Sequence, residues 1–172
     1  MSDSERQAPN RTSNGEYSNN SNFRILKSYD EIVRTVVDLV QLAREEIYLA
    51  SRYYEPVVGN NLVQKFAEGI SLNILDGNPS GTTFVDRIRE AARFPTRERD
   101  LLKTLLDSPK VRIERAKIEY SFIVVDRFHC AFELHNPLNP TQFYKAIRID
   151  ESELADTLIE LFNESLQLQQ IT

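Results

Sequence analysis

Apolar and polar positions recur with two different periods along this chain, and the switches between them mark its elements. Residues 1–22, MSDSERQAPNRTSNGEYSNNSN, follow neither period and hold almost no aliphatic side chains. Such a segment cannot bury enough surface to offset its ordering entropy, so a disordered polar tail is expected there. A tether or binding arm is the other reading of the same composition. From residue 23 to the C-terminus the pattern predicts a single α/β domain. Phe23 to Leu26 reads as a short strand, and Ser28 with Glu31 makes an S-x-x-E capping box at a helix start. Ile32, Val36, Leu39, Val40 and Ala43 then follow at helical spacing. EEIYLAS, residues 45–51, alternates as a strand. The loop RYYEPVVGN leads to a second helix, about residues 60–68, which Gly69 closes. ISLNILDG forms the next core strand and ends at Asp76 and Gly77. A strand–helix–strand rhythm implies parallel strands joined by right-handed crossovers.

The middle of the chain, TTFVDRIREAAR and TRERDLLKTLLDS, reads as two helices separated by Pro95. Three strands are expected in quick succession after it, at residues 111–115, 119–126 and 129–135, with a tight turn at Arg127–Phe128. FYKAIRI adds a strand beyond the NPLNP loop. Asp150 and Glu153 are expected to cap a last amphipathic helix carrying Leu154, Leu158, Leu161 and Phe162. The fold class that results is α/β, a mixed and mostly parallel sheet flanked by helices on both faces.

Composition narrows the function classes. The 172 residues are 41% hydrophobic and 27% charged, both ordinary for a globular domain. A net charge of −5 argues against general polyanion binding. No apolar run approaches the roughly 20 residues that span a bilayer, and the N-terminus has no apolar leader, so no membrane insertion is expected. The single cysteine, Cys130, fits a reducing compartment, and a cytoplasmic location is expected. With one Cys and two His, no structural metal and no cofactor are expected. Five arginines between Arg87 and Arg99 suggest a basic patch, but Asp86, Glu90, Glu98 and Asp100 interleave with them as on a solvated face. Direct nucleic-acid binding is therefore not expected. His129, Glu133 and His135 differ by even numbers and would share one strand face, yet six residues span about 20 Å, too far for one metal.

The candidate chemistry gathers around IEYSFIVVDRF, residues 118–128. In a strand covering this stretch, Glu119 and Ser121 point the same way and Asp126 ends the apolar run. Arg52, Tyr53, Tyr54 and Asp76 belong to the ends of neighbouring strands, the edge where open α/β sheets place ligands. Glu119 would accept from an amine or pair with Arg52, and the two tyrosines would wall a small pocket. A purely structural Arg52–Glu119 ion pair, with the tyrosines packed in a loop, is the alternative.

The order of elements and the strand YSFIVVD resemble the phospholipase D-like superfamily, whose hallmark is H-x-K-x4-D on a strand of this type. IYLASRYYEP, a helix with Gly69, and ISLNILDGN are similar to its early βαβ unit. FYKAIRIDESELADTLIELFNESL resembles its closing strand and helix. Aligning Asp126 with the family aspartate puts Ser121 at the lysine and Glu119 at the histidine. The resemblance covers about residues 23–167 and is greatest for single-copy, degenerate domains attached to microbial transcriptional regulators. It implies a family reaction that uses a histidine nucleophile and lysines to neutralise phosphate. A carboxylate at position 119 would instead repel a phosphodiester, by roughly 1 to 4 kcal/mol at 4 Å. The implied function is a non-catalytic regulatory or sensory domain that binds a small molecule or a regulatory protein. A diverged phosphodiesterase or nuclease using replacement residues is the alternative. The family's two-fold pairing of motif-bearing surfaces implies a homodimer with the Glu119 and Ser121 faces turned together.

The polar N-terminal segment gives a direct test. Deleting residues 1–22 is expected to leave the melting temperature within about one degree, since so little apolar surface is lost. A fall of several degrees in a calorimetric scan would show that the segment docks on the domain.

Overall fold

A computed structural model of the chain describes residues 23–77, 86, 103–139 and 143–167. The expected polar tail, most of the two expected central helices and the arginines between Arg87 and Arg99 lie outside these residues.

Seven strands form one sheet: β1 (Phe23–Leu26), β2 (Glu46–Ser51), β3 (Ser71–Asp76), β4 (Val111–Arg115), β5 (Phe122–Val125), β6 (His129–His135) and β7 (Phe143–Asp150). Their spatial order is β1-β7-β6-β5-β2-β3-β4. Parallel pairing is confined to β2–β3 and β3–β4, and the other four pairings are antiparallel. Following the pairings across the sheet, β1, β2, β3, β4 and β6 run one way, with β5 and β7 against them. The mixed sheet is thus mostly parallel in strand direction, while most neighbouring pairs are antiparallel, because the second half of the chain advances by hairpins.

Helices α1 (Tyr29–Leu42) and α2 (Pro56–Ala67) cover one face and α3 (Ser152–Gln167) the other. The first face buries Leu39, Val40, Leu62 and Phe66 on Ile47, Leu49, Ile74, Ile123 and Val125. The second buries Ala155, Leu158, Ile159 and Phe162 on Ala50, Leu75, Phe122, Val124 and Cys130. Strand alternation produces both layers at once, since Ile123 and Val125 point one way and Phe122 and Val124 the other. Cys130 is fully buried, and that burial pushes its thiol up to about 12.

Helix starts follow their capping chemistry. Ser28 Oγ accepts from Glu31 N at 3.2 Å, while the Glu31 carboxylate reaches back to Lys27 N at 2.9 Å rather than to the cap residue itself. Helix α2 begins at Pro56, earlier than the apolar periodicity indicates. A proline is well suited to the first helical position, where its missing N–H costs nothing. In α3 the cap is Glu151, whose carboxylate accepts from Leu154 N at 3.0 Å. The expected cap, Asp150, is engaged instead by His129 Nδ1 at 2.9 Å.

Asp126 holds the two halves of the sheet in register. It sits in the left-handed region at φ 50°, followed by Arg127 at φ 52°, so these two residues make the turn between β5 and β6. Its Oδ1 accepts from Glu45 N at 2.9 Å and Glu46 N at 3.1 Å, and its Oδ2 from Arg44 N at 2.9 Å. Three backbone donors at the entry of β2 are satisfied by one side chain 80 to 82 residues away. Hydrogen bonds to a charged group contribute about 1.5–3 kcal/mol, so Asp126→Ala is expected to cost roughly 2 kcal/mol or more in urea unfolding. Asp126→Asn, which tolerates the same φ and keeps one acceptor, is expected to lose less. A loss below about 0.5 kcal/mol for the alanine variant would refute the clamp.

Candidate functional site

The antiparallel pairing of β5 with β2 brings the N-terminal end of β5 beside the C-terminal end of β2. The C-terminal half of β6 joins them, with Phe122 opposite Phe132. At this edge each strand places one polar residue on the face covered by α1 and α2: Ser51, Ser121 and Glu133. Two positions further into the sheet come Leu49, Ile123 and Ala131, all in the first core layer. A cavity of about 90 Å³ lies over these residues. Helix α1 roofs it with Tyr29, Ile32, Val33 and Val36, and Tyr53, Glu55 and Val58 close one side.

Glu133 is the centre of the polar end. It is only 5% exposed, yet its carboxylate meets Arg52 Nη2 at 2.8 Å and 2.7 Å, one oxygen each. Tyr53 donates its hydroxyl to Oε1 at 3.1 Å, and Ser121 N approaches Oε2 at 3.4 Å. A buried carboxylate requires this density of donors. The Arg52 guanidinium also stacks over the Tyr53 ring, 5.6 Å from its centroid. Its Nε is buried with no hydrogen-bond partner among the described residues, and Arg52 itself does not line the cavity. Burial, reinforced by the Glu133 charge, pushes the Tyr53 phenol up. Tyr29 meets Tyr53 edge to face at 6.2 Å and donates its hydroxyl to Glu55. Burial and the Glu55 contact push its phenol up as well. Both phenols are therefore protonated at neutral pH, with their protons committed to carboxylates.

The structure distributes the sequence candidates unevenly. Ser121 and Tyr53 line the cavity, and Ser121 Oγ accepts from Arg52 N at 3.2 Å. The partner of Arg52 is Glu133, so the ion pair with Glu119 expected from sequence is not formed. Glu119 is exposed and precedes β5, which begins only at Phe122, so strand alternation does not govern it. Two contacts keep this segment out of the sheet. The Glu119 carbonyl accepts from His135 Nε2 at 2.7 Å, and buried Ile118 lies where a side chain on Gly77 would sit, 2.3 Å from that Cβ position. Only a glycine fits there. Tyr54 packs in the first core layer against Gly59 and does not line the cavity. Asp76 is buried at the end of β3, also outside the cavity lining. Asp126 lies at the opposite end of β5, on the β2 backbone. The three residues aligned with the family motif thus occupy three different environments.

Glu133 itself was legible only as a strand residue between two histidines. The sequence signal that marks it is an acid inside CAFEL, at a position whose alternation partner, Ala131, is a core residue. The expected shared face with His135 is interrupted by an irregularity in the β6–β7 register between Leu134 and His135. His129 pairs with Asp150, and His135 stacks on Tyr120 at 4.3 Å. No group of three metal-ligating side chains assembles among the described residues. No helix among them is long and apolar enough to cross a membrane.

No protein-family model and no curated protein sequence matches the chain. Solved structures do. TrmBL2, an archaeal chromatin protein whose structure shows a novel mode of DNA binding, superimposes with a TM-score of 0.62 at 13% identity, over 84% of this chain and 52% of its own. This chain therefore spans about half the length of that protein. Nuc from Salmonella typhimurium, a phospholipase D family member, gives 0.59 at 13% identity, over 84% of this chain and 93% of its own. NucT from Helicobacter pylori gives 0.57 at 10% identity, with coverages of 84% and 95%. Seven strands in a mixed sheet between two helical layers, matched over most of their length by these structures, give this chain the phospholipase D-like fold.

Proposed function

We propose that this domain is a non-catalytic, phospholipase D-like regulatory or sensory module whose remodelled strand-edge site binds a small ligand. The observation that carries this reading is the Glu133–Arg52 pair at the polar end of an apolar cavity. Phosphodiester cleavage depends on positive charge placed where negative charge develops. Here the single guanidinium is neutralised by a buried carboxylate, and a second acid, Glu55, lines the same end. Glu119 and Ser121, at the positions aligned with the family histidine and lysine, add no positive charge. An apolar cavity with a few polar groups at one end has the lining of a ligand site, on a scale that suits only a very small molecule.

A role in transcriptional regulation is consistent with the archaeal chromatin relative, although that protein is matched over only half its length. That relative also makes DNA a partner to be tested, against the low expectation drawn from charge. We further propose a homodimer in which the surfaces bearing Glu119 face each other, with exposed Tyr120 beside it supplying apolar contact.

Three measurements check these proposals. The purified chain is expected to hydrolyse bis(p-nitrophenyl) phosphate no faster than buffer, and turnover abolished by Glu119→Ala would instead establish the diverged-enzyme alternative. Light scattering over a concentration series is expected to give a dimer that Glu119→Arg weakens at least tenfold. A strict monomer at high micromolar concentration excludes the dimer, and indifference to Glu119→Arg moves its interface elsewhere. A mobility-shift titration with duplex DNA is expected to show no complex, and a discrete shifted band would establish DNA as a partner.

A further inference from the structure

The cavity is graded along its length, and the three strands at its floor and helix α1 above it show the same gradient. On β2 the polar member is Ser51 and the apolar one Leu49; on β5 they are Ser121 and Ile123; on β6, Glu133 and Ala131. Helix α1 repeats the sequence, with Tyr29 at its start and Ile32, Val33 and Val36 further along. A ligand seated here has one polar end, at the sheet edge, and one apolar end, beneath α1. The size is also bounded. A dry cavity of about 150 Å³ takes benzene, so 90 Å³ accommodates roughly four heavy atoms of tail.

The polar end is rich in acceptors. Tyr53 and Tyr29 each give their hydroxyl proton to a carboxylate, Glu133 and Glu55, which fixes both phenols at this end and leaves the Tyr53 oxygen to act as an acceptor. Glu133 is already surrounded by Arg52, Tyr53 and the Ser121 amide, which makes it a fixed support for Tyr53. Glu55 accepts from Tyr29 and lines the cavity. Formal charges sum to −1 for Glu133, Glu55 and Arg52 together. The two tyrosine rings, edge to face at 6.2 Å, border the same space and favour a cation near their π-faces. We propose that the ligand is a small primary alkylammonium, its N–H donors met at this end by the Tyr53 oxygen and by Glu55, its short alkyl chain lying on Val33, Val36, Leu49 and Ile123. This deepens the ligand-binding reading given above and rests on it. An anion is disfavoured at this end by the two carboxylates, and a neutral alcohol brings no positive charge to offset theirs.

The test uses the full chain and three probes of similar length, n-butylammonium, n-butanol and butyrate, each titrated to millimolar concentration against ¹⁵N-labelled protein. Butylammonium is expected to shift the amides of Ser51, Tyr53, Ser121 and Glu133 saturably, with butanol at least tenfold weaker and butyrate without effect. Glu55→Gln, which leaves the Glu133–Arg52 pair intact, is expected to weaken butylammonium at least tenfold while leaving any butanol binding unchanged. Val36→Phe, which fills the apolar end, is expected to abolish binding of every probe. If butanol or butyrate binds as well as butylammonium, the ammonium assignment is wrong while the ligand cavity stands. If none of the three binds, or if Val36→Phe leaves binding intact, the cavity reading fails with it.

Discussion

A buried carboxylate, Glu133, sets the terms for the whole edge of this sheet. Leaving it without partners would cost several kcal/mol, so Arg52, Tyr53 and the amide of Ser121 are drawn to it from two other segments. Those contacts fix the chain after β2, the entry to β5 and the exposed side of β6 in one arrangement. Removing either member of such a pair costs about 3–5 kcal/mol, whereas replacing both by apolar residues is often tolerated. The pair therefore adds specificity of arrangement more than stability. It also decides the sign of the site, because the guanidinium that an anionic substrate would need is already held by Glu133.

The same fold thus carries two opposite electrostatic arrangements. In the reaction that the family resemblance implies, positive side chains converge on phosphate. Here the equivalent edge offers carboxylates, phenols and hydroxyls over an apolar floor. The scaffold tolerates the exchange because most of the layers that build it, such as Ile47, Val125 and Leu62 on one side and Val124, Leu158 and Phe162 on the other, lie outside the cavity lining. Function on such a framework belongs to the site rather than the fold.

Much of the framework was legible in the sequence because its signals are local. The β1 range, the strands 111–115 and 129–135, the Ser28 cap and the terminal helix follow from alternation, helical spacing and capping chemistry within a few residues. The site was less legible because its contacts are long-range. Glu133 and Arg52 are 81 residues apart, and although CAFEL marks Glu133 as an acid within an apolar strand, nothing local names Arg52 as its partner. The sequence around Glu119 also suggests a longer strand than forms, since the Ile118–Gly77 approach and the His135 contact that end it early involve distant residues. Asp126 reads as the last residue of a motif, but its three hydrogen bonds make it a clamp on β2.

The edge position of β1 bears on how the domain is made. Among the described strands β1 is the first to leave the ribosome, and its only partner there is β7, whose residues 143–150 are synthesised well over a hundred positions later. During that interval Phe23 and Ile25 have no strand beside them, while β2 and β3 can already pair through the short crossover of α2. Vectorial synthesis therefore reverses the order of assembly at this edge: the segment translated first is the last to be incorporated, and until β7 arrives it is an unpaired template of the kind that chaperones shield.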